Sequence, residues 1–438
     1  MNTNMAAAHR AAFLNSLESG IAIICTGGER VRSRDTHYKF RPDSDFWYLT
    51  AFPEPEAIAV FAPDRDEGQF VLFVRPRDLQ LEIWNGRRAG VEGAKEIYGA
   101  DQAFSIDEFD TQLPKLLKGA ETLHYRTGMN ADFDRKLLSA VQTLHAKTRD
   151  GARAPTAVVD PSSVLHEMRL YKSADELNVM RRAAEITDKA HRAAMKALRG
   201  GGGEWAIESI VDATFRAEGG WGPGYTTISA GGNNACVLHY TTNDMTVAAG
   251  DCLLLDAGCE FDGYTADVTR TFPASGTFSA AQRELYEVVL AAQEAGCAQA
   301  VAGNRFHSVH DVATRKLVEG LLDVGLVNGS VDELLESNAY SKYTVHRTSH
   351  WLGIDVHDVG AYYEPHSGNG SPESRELQPG MVLTVEPGVY VASDDNEAPE
   401  RFRGLGIRIE DDVAITEGGH DNLTGNIPKS ISDVEAAC

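Results

Sequence analysis

The sequence predicts two domains: an N-terminal α/β domain over residues 1–168 and a C-terminal α+β domain over 169–438 built mainly on antiparallel strands. Three observations carry this. The chain has 438 residues, enough for two or three cores by length alone. Its first third alternates short apolar runs with segments of helical spacing. The remainder opens with long helical patterns and then turns glycine-rich and strand-rich.

The elements follow in order. Met1 to Leu17 lacks the continuous apolar stretch and cleavage site of a signal peptide. Runs at 21–24, 57–61 and 70–74 are apolar, short and flanked by Gly, Pro or Asp, which predicts buried strands. Apolar spacing at 107–118 and 130–147 is helical. A domain boundary is expected near Asp160-Pro161-Ser162-Ser163. Beyond it, Ser173-Ala174-Asp175-Glu176 has the form of a capping box, in which serine and glutamate side chains satisfy orphan helix amides. That helix is expected to run to about Arg199 and stop at the glycines 200–203. A helix over 204–218, strands between 219 and 275, and helices near 279–301 and 308–324 come next. Strands and turns fill the last hundred residues.

Composition narrows the function. With 41 Lys and Arg against 64 Asp and Glu, the net charge is −23, which repels phosphate backbones and anionic lipid. Nucleic-acid and membrane partners are not expected. The six cysteines form no C-x-x-C pair and sit mostly in apolar runs, as reduced core residues of a cytoplasmic protein would. No window approaches the roughly 18 uninterrupted apolar residues of a membrane span.

Four segments of the second domain gather acidic residues and histidines. The first runs from Cys252 to Pro273, where Asp262-Gly263 suits a two-residue hairpin turn. In that register 261 faces 264 and 256 faces 269, so Asp267 shares a face with Asp256. Their backbones would lie roughly 7–8 Å apart, with side chains able to converge. Either a cation lies between them, or they are two solvated surface aspartates. The second segment, 346–358, carries His346, His350 and His357 between apolar residues. The spacing of His346 and His350 looks like the H-E-x-x-H of zinc proteases, but Arg347 stands where the general-base glutamate is needed, and that reading is rejected. The third ends an apolar strand with Glu386 at Pro387-Gly388. In the fourth, Ile407 and Ile409 alternate with Arg408 and Glu410, placing Arg and Glu on one face.

Together, Asp256, Asp267, Glu386 and Glu410 with His350 form an oxygen-rich set with one imidazole. Two divalent cations would balance the four carboxylates, and Arg408 would offset a bridging hydroxide. Such a set favours Mn²⁺ over thiolate-seeking metals, with Co²⁺ and Zn²⁺ as alternatives.

The four segments, in this order, resemble the metal-binding motifs of the pita-bread metallopeptidases. The additional N-terminal domain, Asp45-Phe46-Trp47-Tyr48, Ile83-Trp84-Asn85-Gly86-Arg87-Arg88 and Val237-Leu238-His239-Tyr240 narrow the resemblance to the aminopeptidase P (Xaa-Pro aminopeptidase) family. It implies a strongly curved, mainly antiparallel catalytic sheet and release of the first residue from peptides with proline second, by a water or hydroxide bridging two metals. It implies that Asp256 binds one metal and His350 and Glu386 the other, with Asp267 and Glu410 bridging. Glu386 would accept and deliver the proton, and His357 would hydrogen-bond the scissile carbonyl. His239 and His346 would line the proline pocket with Tyr240 as an apolar wall, and Arg408 and Tyr390 would hold Asp256. A homodimer or homotetramer is implied; in tetrameric relatives the residue matching Trp84 reaches a neighbouring site, whereas by sequence alone Trp84 reads equally as packing. This chain departs from the pattern at Arg347, where members often carry glycine, and at Thr348. Prolidase, which cleaves only Xaa-Pro dipeptides, and a catalytically silent peptide-binding homologue are the rival readings.

Overall fold

The apolar runs Ile21–Cys25, Ile58–Phe61 and Phe70–Val74 lie side by side at the centre of a six-stranded sheet. Pairings among these three are antiparallel. Gln102–Ser105 joins one edge in parallel, and Thr122–His124 then Ala157–Val159 join the other in parallel. The computed structural model describes residues 2–17, 19–365 and 371–438. It divides into two compact units, Met1–Met168 and Arg169–Cys438, of which this sheet forms the first.

Helices Phe109–Leu117 and Ala131–Ala146 cover the sheet, packing Leu113, Leu117, Leu137 and Leu144 on Ile21, Ile23, Val71 and Phe73. A further helix, Thr3–Ser16, buries Phe13 edge-on against Phe61. Apolar periodicity gave no sign of it, because its inward face also carries His9 and Arg10. The His9 ring stacks on Tyr48 at 3.8 Å while its Nδ1 donates to the Tyr48 carbonyl, and Arg10 donates to the Leu49 carbonyl.

In the second unit every described strand pairing is antiparallel. Its first long helix, Ala174–Ala197, begins at the capping box read from the sequence: the Glu176 N–H donates to Ser173 Oγ, and the Ser173 N–H donates to Glu176 Oε2. The other Glu176 oxygen accepts the Tyr264 hydroxyl at 2.7 Å, tying the helix start to the acidic hairpin. Further along, Thr187 accepts the Cys259 N–H and His191 Nε2 donates to the Ala257 carbonyl.

The hairpin has the expected register. Asp256 faces Thr269 and Phe261 faces Tyr264 around a turn with φ of 51° at Asp262 and 87° at Gly263. Gly258 admits no side chain, since a Cβ there would fall on the Ala266 carbonyl oxygen. On its other edge Cys252–Asp256 pairs with Ile228–Gly231. Two further pairings complete the frame: Val382–Val385 with Asp411–Thr416, and Gly388–Val391 with Leu405–Arg408. Glu386 falls in the break between the first members of these pairs and Glu410 in the break between the second. Helices Ala280–Gln299 and Phe306–Asp323 complete the core.

Behind these strands lies a buried ion network. Arg270 is fully buried; it donates to Asp411 Oδ1 at 2.6 Å and to the carbonyls of Thr269, Glu410, Ile427 and Pro428. The other Asp411 oxygen accepts from Gln293, Asn422 and Lys429. These partners overcome the burial cost and hold the Asp411 carboxyl well below its ordinary range. Asp411→Ala leaves buried Arg270 uncompensated and takes the carboxylate from half-buried Lys429, and urea unfolding is expected to show a loss of about 3–5 kcal/mol. A loss under about 1 kcal/mol would mean the network is not what holds this corner.

Candidate metal centre

Asp256 ends its strand, and Asp267 enters from the opposite side of the hairpin two residues before Thr269. Both are buried, and the Tyr225 hydroxyl spans them at 2.7 Å from Asp256 Oδ1 and 2.6 Å from Asp267 Oδ1. The second Asp256 oxygen accepts Arg408 Nη2 at 2.6 Å. Arg408 Nε donates to Thr269 Oγ1, and the Thr269 hydroxyl donates to Glu410 Oε2 at 2.6 Å. Arg408 and Glu410 thus meet at Thr269, although only Arg408 stands in a strand.

His350 approaches from the opposite wall, with Nε2 at 3.4 Å from Asp267 Oδ2 and 3.6 Å from Glu386 Oε1. Its Nδ1 donates to the Trp351 carbonyl at 2.9 Å, which fixes the tautomer and leaves Nε2 facing the carboxylates. Donor atoms of Asp267, His350 and Glu410 all lie within 4.8 Å of one another. All five residues expected as ligands line one cleft of about 420 Å³, together with Tyr225, His239, His346, Arg347 and His357.

Electrostatics explains what such a cleft would hold. Burial, with Asp267 beside it, pushes Glu386 up to about 7, although His350 pulls the other way. Burial first, then Asp267 and Glu386, raises Glu410 well above the carboxylate range. Asp256 is raised by burial despite Arg408. Burial opposes a charged His350, but its bond to Asp267 and the Glu386 charge prevail and lift it to about 9. The shared cause is negative charge crowded in a poorly solvated place, which a divalent cation relieves. Carboxylate oxygens with one correctly tautomeric imidazole are donors suited to hard or borderline divalent ions. The residues fit the metals.

The outer residues sort differently from expectation. Tyr390 does not touch Asp256: its hydroxyl accepts Arg408 Nη1 at 3.0 Å and donates to His346 Nε2 at 2.7 Å. Tyr390 acts through Arg408, which donates to both its hydroxyl and Asp256. His346 Nδ1 donates to the Arg347 carbonyl, so both ring nitrogens are engaged, and burial followed by the Arg408 charge lowers its pKa to about 4. His357 stacks edge-on against His350 at 4.4 Å and is lowered by desolvation and then by that neighbour's charge. The Tyr240 hydroxyl donates to Glu204 Oε2, so its polar end is committed away from the lining where His239 sits. Trp84 is 84% exposed on the short helix Leu79–Asn85, which rules out the packing reading within its own unit.

Sequence reasoning missed Tyr225, which lies 31 residues before Asp256 in no recognisable pattern. It also missed Asp412 and Asp358. Asp412 is buried and its Oδ2 accepts the Asp267 N–H. Asp358 is gripped by Arg169 at 2.5 Å and Lys172 at 3.1 Å, all three side chains being nearly inaccessible. The Asp358 N–H donates to the same Trp351 carbonyl that orients His350. Only the cations Arg169 and Lys172, three positions apart, and the Asp after His357 hinted at this clamp.

Comparison with known proteins defines the class. Residues 178–417 match metallopeptidase family M24, and the chain belongs to that family. Residues 6–125 match the aminopeptidase P N-terminal domain. The chain is 44% identical to the Xaa-Pro aminopeptidase of Escherichia coli, over 98% of this chain and 96% of the relative. It is 34% identical to human Xaa-Pro aminopeptidase 3, over 93% and 78% respectively. Among solved structures it superposes on an aminopeptidase of Pseudomonas aeruginosa with a TM-score of 0.96 at 44% identity, covering 100% of this chain and 98% of the other. Zinc-substituted E. coli aminopeptidase P in complex with product gives 0.95 at 43% identity, with the same coverage. The catalytic unit thus has the pita-bread fold of M24, preceded by the N-terminal domain of aminopeptidase P.

Two outcomes follow from the site's charge and its clamp. Glu386 and His350 both have folded pKa values above their ordinary 4.5 and 6.5, so the stability they lend is complete at low pH and lost as each deprotonates. Buried His191 and His346, whose lowered pKa values act the other way, are already neutral above about pH 7, so chelator-treated protein should lose thermal stability between about pH 7 and about pH 9, and saturating divalent ion should remove the decline. A chelated profile that climbs across that window contradicts the assignment. Separately, Asp358→Asn keeps the side chain's size but removes the charge facing Arg169 and Lys172. Turnover should fall roughly 10- to 100-fold with metal affinity weakened, as for other residues that orient a ligand. Unchanged kinetics and metal titration would dismiss the clamp.

Proposed function

We propose that this chain is a metal-dependent Xaa-Pro aminopeptidase that removes the first residue from peptides with proline in second position. The carrying observation is the cleft that joins four carboxylates and an oriented imidazole to neutral histidines, in a chain 44% identical to a relative bearing that name. In this reading residues 169–438 are the catalytic domain and 1–168 the aminopeptidase P-type N-terminal domain. Asp256 would hold one divalent ion, His350 and Glu386 a second, and Asp267 and Glu410 both. Manganese is the expected metal, with cobalt or zinc as substitutes. When bound, two such ions supply a nucleophilic water at neutral pH and charge stabilisation for the reacting carbonyl.

The chain's own residues do the rest. Glu386 takes a proton and passes it toward the departing proline nitrogen. His357, held neutral, donates its N–H to the scissile carbonyl oxygen as charge develops there. His346 has no nitrogen to spare, since Tyr390 and the Arg347 carbonyl occupy both; it offers its ring face, with His239, to the pyrrolidine ring. Arg408 fixes Asp256 and, through Thr269, Glu410. The Xaa-Pro bond has no N–H, so a site that recognises the ring rather than the amide suits it. Exposed Trp84 supports a homo-oligomer in which it meets another copy. Six unpaired cysteines support a cytoplasmic location; no described helix is long and apolar enough to cross a membrane.

The test is a peptide series beginning Ala-Pro, from dipeptide to pentapeptide, with Mn²⁺ and with chelator. Release of alanine from the tripeptide and longer peptides, abolished by the chelator, is expected. Cleavage of the dipeptide alone would make the chain a prolidase, and no cleavage of any member a silent peptide binder. Asp267→Ala should lose both activity and most of about two bound ions per chain by elemental analysis.

A further inference from the structure

Arg347 lines the cleft yet is exposed, whereas the cleft's other arginine, Arg408, is buried and committed to Asp256, Tyr390 and Thr269. Among the described residues no carboxylate lies within ion-pair distance of the Arg347 guanidinium. Its fixed partner is neutral: Nη1 donates to His307 Nε2 at 3.1 Å, and His307 packs edge-on against Tyr363 at 4.9 Å. Desolvation and then Arg347 itself lower the His307 pKa, with Asp311 on the same helix opposing, so the imidazole remains an acceptor. One N–H of five is therefore used to aim the guanidinium, and its charge is left unneutralised.

Position along the wall says what it meets. A substrate cut after its first residue places its amine among the acidic donors and its proline against His346. The next wall residue is Arg347, and the change from a half-buried to an exposed side chain marks the way out of the cleft. Whatever follows proline leaves past this guanidinium.

We propose that Arg347 recognises a carboxylate on the residue after proline, making this protein selective for substrates that are anionic there. This rests on the aminopeptidase reading above. The carboxylate comes either from an acidic third residue or from the C-terminus of a tripeptide, and a guanidinium fork binds both alike.

Metal-loaded enzyme is assayed on Ala-Pro-Asp-Ala-amide against Ala-Pro-Lys-Ala-amide, and on Ala-Pro-Ala as free acid against its amide. In each pair the anionic member should have a kcat/KM higher by roughly fivefold or more, chiefly through KM, with the gap narrowing as salt is raised. Arg347→Gln should bring both ratios toward one, Arg347→Lys should keep part of them, and Arg347→Glu should invert them. A preference confined to one pair identifies which carboxylate is read. Ratios near one in the unmodified enzyme, or ratios untouched in Arg347→Gln, overturn the role of Arg347 while leaving the activity intact. Failure to cleave any of the four overturns the activity and this role with it.

Discussion

Four carboxylates share one poorly solvated cleft, and the rest of the catalytic unit is arranged around that repulsion. Burying like charges is costly unless counter-charge or hydrogen bonds answer them. Arg408 answers Asp256, Thr269 answers Glu410, His350 answers Asp267 and Glu386, and Tyr225 lies across the two aspartates. These partners do not suffice, because Asp256, Glu386 and Glu410 all remain harder to ionise than free carboxyls. A divalent cation held among them would relieve that cost.

Rigidity behind the cleft comes from two buried charge clusters, one on each wall. Arg270 and Asp411 brace the strand ends carrying Thr269 and Glu410. Arg169, Lys172 and Asp358 brace the segment that carries His350 and His357. Neither cluster touches the reacting atoms. Each fixes carbonyl groups that in turn fix donors, so orientation passes from a dry ion pair to backbone to ligand.

Much of this was legible in the sequence because it is local. The capping box at Ser173 and Glu176, and the hairpin register set by Asp262-Gly263, depend on residues a few positions apart, and both appear as read. The donor residues were visible as four short segments, and their resemblance to a known family supplied the order. What escaped was either non-local or disguised. Tyr225 reaches the aspartates across a sheet, and no spacing rule links it to them. The N-terminal helix hides its inward face behind His9 and Arg10, which look like surface residues until their backbone partners are known. Tyr390 was placed one contact too close to Asp256, since sequence shows which residues face a site and not how far each side chain reaches.

Glu386, Glu410 and Asp267 share a setting that Asp256 lacks. Each stands in a gap of two or three residues where one strand pairing stops and the next has not begun. A residue inside a ladder has its direction dictated by the pleat; one in such a gap depends on the individual bonds its own backbone makes. Those bonds come from elsewhere in the chain, the Thr348 carbonyl for Glu386, the Thr269 carbonyl for Glu410 and the Asp412 carboxylate for Asp267, so each oxygen donor can be re-aimed on its own without the sheet changing register.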